Sequence, residues 1–223
     1  MKTCVIIPAY NEAKTISGIV SLIRSQAIEV VIIDDGSLDN TSGLAQENGA
    51  FVIKNTQNQG KGASLNKGFN YALDKGFDAV ITMDGDGQHL PEEIPDLIGA
   101  AEAKKADIVL GNRMQNTKGM PFVRILTNKF MSWLISVIAK QDIPDTQCGF
   151  RLIKKEVLKS VFIKSSKYEA ESEILIKASR AGFKIASVPV KTVYLGEASK
   201  INPVTDTFRF LKYIIRELWS TRN

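Results

Sequence analysis

The chain has few of the residues that build cross-links or thiolate and imidazole metal sites. Its 223 residues include two cysteines, Cys4 and Cys148, and one histidine, His89. The cysteines lack metal-site spacing and fit a reducing cytosol, where a disulfide would be unusual. Long hydrophobic runs are lacking too. The longest near-apolar stretch, residues 130–139, falls well short of the roughly 20 residues a spanning helix needs. No early stretch reads as a signal peptide, because residues 1–8 have the pattern of a first strand. There is no internal repeat, low-complexity tract or interdomain linker. With 44% hydrophobic and 24% charged residues, the composition excludes a wholly disordered or fibrous chain. The length suits one domain over residues 1–223 with a substantial core.

The formal charge of +5 says only that anionic partners are attracted. Its distribution says more. Residues 118–140 carry four basic side chains (Lys118, Arg124, Lys129, Lys140) and no acid, and residues 200–223 carry five against Asp206 and Glu217. The acids of the first half gather instead after apolar runs.

Those runs occupy residues 4–7, 30–33, 51–53, 79–83 and 108–110, and they predict strands. Helical patterns lie between them at 15–25, 41–47, 63–73 and 91–104. Such alternation predicts an α/β fold, a mostly parallel central sheet with helices on both faces. Past residue 110 the pattern loosens into helices over 121–139 and 169–181, a late strand over 184–190 and an amphipathic C-terminal helix over about 205–219. Ligands of such sheets bind beyond the carboxyl ends of the strands. Three polar clusters converge there: Pro8-Ala9-Tyr10-Asn11-Glu12, Asp34-Asp35-Gly36-Ser37 and Asp84-Gly85-Asp86-Gly87-Gln88-His89.

The third cluster is the most informative. A buried strand that runs into two carboxylates at i and i+2 presents hard oxygen ligands. Mg²⁺ and Mn²⁺ are held by a few carboxylates together with substrate phosphates, so the implied ligand is a metal diphosphate. An ordinary Asp-Gly turn is the plainer alternative. His89 reads as a local hydrogen-bonding residue rather than a ligand or base. Asp39 or Asn40 is placed to cap the helix from Thr41. Asp34 and Asp35, adjacent at a strand end, require donors, which ribose hydroxyls or a base would supply. Gly60-Lys61-Gly62 opens a helix and resembles a phosphate loop only weakly, since it has neither Walker nor Rossmann spacing. Arg113, in Gly111-Asn112-Arg113, follows the fifth strand, where a phosphate role competes with an ordinary surface position. Arg124 lies on the basic helix, with simple solubility as its alternative.

This ordered set, with Gly149-Phe150-Arg151, resembles family 2 glycosyltransferases, in particular the dolichol-phosphate mannosyltransferase-like branch, from about residue 3 to residue 210. The resemblance implies a GT-A fold, a nucleotide-diphospho-sugar donor and inversion at the anomeric carbon. By the same resemblance Pro8, Tyr10, Glu12 and Asp35 line the nucleoside pocket, with Asp34 and Lys61 beside them. Asp84, Asp86 and Gln88 hold Mg²⁺ or Mn²⁺ on the donor diphosphate. Arg113 and Arg124 meet the acceptor phosphate, and Lys200 matches a late basic position near the diphosphate. Asp86, Arg113 and Arg124 are then the catalytic set. Gly85 departs from the branch, where alanine is common. Three glutamates, Glu169, Glu171 and Glu173, leave the register of that region open.

No Gln-x-x-Arg-Trp sequence is present, which disfavours a processive synthase. The chain also has no Glu-Asp dipeptide, the base-bearing motif of relatives that glycosylate hydroxyls. An attacking hydroxyl needs a base, whereas a phosphate monoester with a second pKa of ~6 is already anionic. The expected acceptor is therefore a polyprenyl phosphate, with mannose or glucose as the sugar. The alternatives are a hydroxyl acceptor with Glu171 or Glu173 as base, or a nucleotide-sugar-binding subunit with little catalysis. A lipid acceptor implies the cytoplasmic face of a membrane, reached either through basic amphipathic helices or through a membrane-spanning partner. No nucleic-acid partner is expected.

Overall fold

The structure, a computed structural model, describes residues 1–165, 169–193 and Ile214. Lys200 and nearly all of the helix expected over 205–219 lie outside the described residues.

Seven strands form one sheet: β1 (Thr3–Ala9), β2 (Glu29–Asp34), β3 (Phe51–Lys54), β4 (Ala79–Thr82), β5 (Ile108–Asn112), β6 (Arg151–Lys154) and β7 (Ile185–Pro189). Their order across the sheet is β3-β2-β1-β4-β6-β5-β7. All pairings are parallel except those of β6, which runs antiparallel to both β4 and β5. Strand side chains alternate between faces, so Cys4 and Ile6 enter one core while Val5, Ile7 and Ala9 enter the other. A strand buried on both faces reads as a continuous apolar run. That is why β1, β2, β4 and β5 stand out in the sequence, whereas β3 is an edge strand with no buried residue.

Helices α1 (Ile16–Ser25), α2 (Thr41–Glu47) and α4 (Ile94–Ala103) supply one core, with Ile16, Ile19, Val20, Ile23, Ile94 and Leu97 buried. Helices α3 (Lys61–Asp74), α5 (Phe122–Ala139), α6 (Lys155–Ser160) and α7 (Glu169–Arg180) supply the other, through Leu65, Phe69, Ile135, Val157, Ile174 and Leu175. Ile214 joins this second core. Cys4 and Cys148 are free thiols in opposite cores, and burial pushes each up to about 12.

The loosened pattern after residue 110 conceals β6. Four residues that begin with arginine and end with lysine carry little strand signal, yet β6 divides β4 from β5. Its register sets Arg151 opposite Thr82 on one side and Leu110 on the other. The first residue of β6 thereby reaches the sheet edge where β4 and β5 end. Arg151 is 1% exposed. Its guanidinium donates to the carbonyls of Cys148 (2.7 Å), Thr146 (2.9 Å) and Glu171 (2.7 Å). That one side chain thus ties both loop 145–150 and the start of α7 to the sheet.

Helix α5 is the one helix among the described residues long and apolar enough to cross a bilayer. It is nonetheless laid against the domain: Asn128, Met131, Ser132, Ile135 and Ala139 are buried. Ser132 and Ser136 hydrogen-bond loop residues Thr146 and Ile143. Its opposite face exposes Phe122, Val123, Leu126, Phe130, Trp133 and Val137.

Removing the Arg151 charge leaves three carbonyls without their donor and takes one of its two cations from Glu171. Arg151→Met is expected to cost about 3–5 kcal/mol. Chemical denaturation checks this, and a loss below about 1 kcal/mol, the net value of one ordinary hydrogen bond, contradicts the role given to Arg151.

Candidate active site

Two turns at the ends of β1 and β2 interlock. Asn11, at φ 57°, donates its N–H to Ser37 Oγ and accepts the Leu38 N–H on its side chain. The Glu12 N–H reaches Thr41 Oγ1, and the Ala13 N–H reaches Asp39. Asp39 also receives the Thr41 N–H, so of the two expected caps it is Asp39 whose side chain serves the start of α2. Pro8 and Glu12 are half-buried on this edge and Tyr10 is exposed.

The adjacent aspartates find their donors inside the protein. Asp34 has no exposed surface; it accepts the Ser37 N–H at 2.7 Å and the Ser42 hydroxyl. Its carboxylate, which also lies 3.8 Å from Lys54 Nζ, is thus satisfied inside the protein. Asp35 accepts the Asn55 amide (2.7 Å) and the N–H groups of Gln59 (2.9 Å) and Gly60 (2.8 Å). It therefore fixes the loop that leads into α3, and with it the position of Lys61.

Lys61 is the first residue of α3 and turns inward. Its ammonium lies 2.5 Å from Asp84 Oδ1 and 2.6 Å from Glu171 Oε1. Burial works against the charge on Lys61, but the two carboxylates reverse this and raise its pKa above the ordinary lysine value. Burial likewise opposes ionisation of Asp84, and the Lys61 ammonium with His89 holds its carboxyl well below the usual range. His89 Nε2 stands 3.5 Å from Asp84 Oδ2, and the ring stacks on Phe150. His89 is thus a neighbour of Asp84, in keeping with a local role.

The loop after β4 is braced from several sides. Thr15 Oγ1 donates to the Gly85 carbonyl, Thr82 Oγ1 to the Gly149 carbonyl, and the Gln88 N–H to Asp86 Oδ1. Gly149 lies against Asp84: a Cβ there would sit 2.6 Å from Asp84 Oδ2. At Gly85 an added Cβ would meet the Glu12 side chain at 3.2 Å, a tight contact with a group that has freedom to give. Among the described residues no three acidic, histidine or cysteine side chains form a closed cage for an ion. The donor set fits a different kind of site. Asp86 is half-exposed, Asp84 already attracts a cation, and two hard carboxylates suit Mg²⁺ or Mn²⁺ shared with substrate phosphates. Gln88 is half-buried on the same loop.

Arg113 lies elsewhere than expected. It is 4% exposed and forms a two-pronged pair with Asp145, Nε to Oδ2 at 2.8 Å and Nη2 to Oδ1 at 2.9 Å, while its own N–H also reaches Oδ2 at 3.1 Å. The guanidinium is directed into loop 145–150 rather than toward a free phosphate position. Arg124 is half-exposed in the first turn of α5. Glu173 accepts the N–H groups of Lys164 and Ser165 and pairs with Lys177. The sequence reading did not single out Asp145 and weighed Glu171 only as a base. No sequence signal marks Asp145, which lies three residues after Asp142 and 32 residues from its partner Arg113.

Both the sequence and the fold are similar to those of known proteins. The family described as "Glycosyl transferase family 2" matches residues 4–162. The chain is 32% identical to the UDP-N-acetylglucosamine–dolichyl-phosphate N-acetylglucosaminyltransferase of Methanococcus voltae, over 85% of this chain and 84% of that one. It is 30% identical to the polyprenol monophosphomannose synthase of Mycolicibacterium smegmatis, over 85% and 76%. Its fold is similar to that of glucosyl-3-phosphoglycerate synthase from Mycobacterium tuberculosis, crystallised with Mn²⁺, UDP and phosphoglyceric acid. There the TM-score is 0.73, the identity 22%, and the match covers 98% of this chain and 78% of that one.

The close approach at Gly149 is tested by a pair of glycine substitutions. Gly149→Ala is expected to cost about 1–3 kcal/mol by overpacking against Asp84. Gly99→Ala, in α4 with nothing within 4 Å of the added Cβ, should be neutral or stabilising by up to about 1 kcal/mol. Equal effects of the two in thermal melts would contradict the packing described for Gly149.

Proposed function

The chain belongs to glycosyltransferase family 2, and from that premise we propose that it transfers a hexose from a nucleotide-diphospho-sugar to a polyprenyl phosphate with inversion. Its relatedness to polyprenyl-phosphate glycosyltransferases supports this reading, but one observation in the site carries it. Both glutamates that would serve a hydroxyl acceptor as base are occupied. Glu171 is shared between Lys61 and Arg151, and Glu173 is held by two backbone N–H groups and Lys177. A hydroxyl nucleophile needs a positioned base; a phosphate that is anionic near pH 7 does not.

On this reading Pro8, Tyr10, Glu12 and Asp35 line the nucleoside pocket, and Asp34 supports them from inside its turn. Asp84 and Asp86, with Gln88, hold a divalent cation on the donor diphosphate. Such a cation, when bound, neutralises the departing nucleoside diphosphate. Arg124 meets the acceptor phosphate and aligns its oxygen with the anomeric carbon. Arg113, paired with Asp145, positions the loop beside it. Catalysis then consists of orientation and fixed charge. Mannose and glucose are the preferred sugars.

The acceptor lies in a bilayer, and α5 supplies a face suited to one. Phe122 and Trp133 are 70% and 60% exposed, and Phe130 and Trp133 adjoin at 6.2 Å. Lys129 and Lys140 are exposed on the same helix and at its end. Aromatic and basic residues on one helix suit the headgroup plane, and each surface cation adds about 1 kcal/mol on anionic lipid. The protein is accordingly proposed to sit peripherally on the membrane, with α5 as a contact.

Two outcomes follow. In a panel of labelled nucleotide sugars with a short polyprenyl phosphate and Mg²⁺ or Mn²⁺, one donor should give a lipid-linked, chelator-sensitive product. Asp86→Asn should abolish it, and Arg124→Ala should raise the acceptor KM. Transfer to a hydroxyl compound with none to the lipid phosphate would refute the reading. In flotation with anionic vesicles at low salt, Phe130→Ser/Trp133→Ser should lower the bound fraction at least threefold. Unchanged flotation would remove α5 from the membrane contact.

A further inference from the structure

We propose that Lys61 is the resident counter-ion of Asp84, that it must yield this carboxylate when a divalent cation binds, and that Glu171 retains the ammonium when it does. The inference rests on the metal reading of Asp84 and Asp86 above and adds to it an exchange between two cations built into the chain.

Three observations carry it. One ammonium is shared by two carboxylates, with Asp84 Oδ1 at 2.5 Å and Glu171 Oε1 at 2.6 Å. A dication engaging Asp84 would therefore share a carboxylate with a positive charge, and like charges at such separation repel strongly where water is scarce. Next, Lys61 stands at the amino end of α3. The helix dipole disfavours a cation there, so its place is set by the carboxylates and not by the helix. Finally, the two carboxylates differ in how they are held. Asp84 has side-chain exposure of 31% and faces the open loop, whereas Glu171 has 7% and is anchored by Arg151 through both its carbonyl (2.7 Å) and its carboxylate (3.7 Å). Glu171 is the fixed member, and Asp84 is the member within reach of a ligand. A narrow cleft lined by Pro8, Lys61, Leu65, Asp84, Gly149 and Glu171 adjoins the ammonium. A buried lysine without a partner would be costly. The second carboxylate removes that cost from the exchange.

The resting protein thus holds Asp84 neutralised and in place. Its affinity for free metal is kept down, and donor diphosphate, which brings further negative charge, favours the exchange. Glu171 acts through Lys61 and is a positioning residue.

The test is Mn²⁺ binding to the full chain without nucleotide, followed by the electron paramagnetic resonance of the free aqua ion. Circular dichroism and thermal melts verify folding. Lys61→Met removes the competing charge and should tighten Mn²⁺ binding at least fivefold. Glu171→Gln leaves Lys61 wholly to Asp84 and should weaken it at least fivefold. In the Lys61→Met background the same Glu171→Gln change should weaken binding less than twofold, because a double-mutant cycle isolates the coupling. Should Lys61→Met fail to fold, Lys61→Gln keeps a donor to Asp84 without the charge and gives the same readout. Binding that is unchanged or weaker on loss of the Lys61 charge overturns the proposal. So does a Glu171→Gln effect of equal size with and without Lys61, which would make Glu171 itself a ligand. Asp86→Asn separates the underlying reading: if wild-type Mn²⁺ binding survives that change, the metal assignment fails. If Asp86→Asn abolishes binding but Lys61→Met does not tighten it, only the exchange fails.

Discussion

A guanidinium buried at the sheet edge must have its charge and donors met by the protein, and Arg151 meets that requirement by gathering the site around itself. It sits at the start of the one reversed strand, between β4 and β5. The carbonyls it binds belong to loop 145–150 and to Glu171. From that loop Asp145 grips Arg113, and Gly149 lies against Asp84. From Glu171 the chain of charge continues to Lys61 and on to Asp84. Six charged side chains, Arg151, Asp145, Arg113, Glu171, Lys61 and Asp84, are thereby locked into one arrangement, because leaving any of them unpaired in the interior is costly.

Such a network divides the edge into two functions. Toward β1 and β2, interlocked turns fix Asp35 and the entry to α3; in the proposed function the Asp84–Asp86 loop is the place where charge is exchanged with a ligand. On α5, Arg124 is half-exposed in the first turn, and the face of the helix turned from the core is apolar and aromatic. On the proposed reading, one end of the site takes a polyanion with its cation, and α5 offers an apolar, aromatic face to lipid. That juxtaposition is what a soluble donor and a bilayer-bound acceptor together require.

Much of this was legible in the sequence where the physics is local. Buried parallel strands declare themselves as apolar runs, and their polar ends place Asp35, Asp84 and Asp86 on a common edge. What was not legible is non-local. Lys61 meets Asp84 and Glu171 across 23 and 110 residues, separations that no spacing rule encodes. Asp34 looked as though it needed a ligand because the backbone N–H and hydroxyl that satisfy it become donors only after the turn has formed. Arg113 suggested a phosphate because its partner, Asp145, lies 32 residues away on a loop without a pattern of its own. β6 could not be assigned as a strand because four residues with charged ends carry no periodicity.

The central claim is that the acceptor arrives as an anion and that no side chain of the enzyme removes its proton. Its most direct test is the pH dependence of kcat/KM for the acceptor, measured with two polyprenyl acceptors whose phosphate groups differ in their second pKa. The account predicts an acid limb that follows the acceptor, close to ~6 for the simple phosphate, and that moves by the difference in pKa when the acceptor is changed. An acid limb that stays in place for both acceptors would reveal an enzyme base and contradict it.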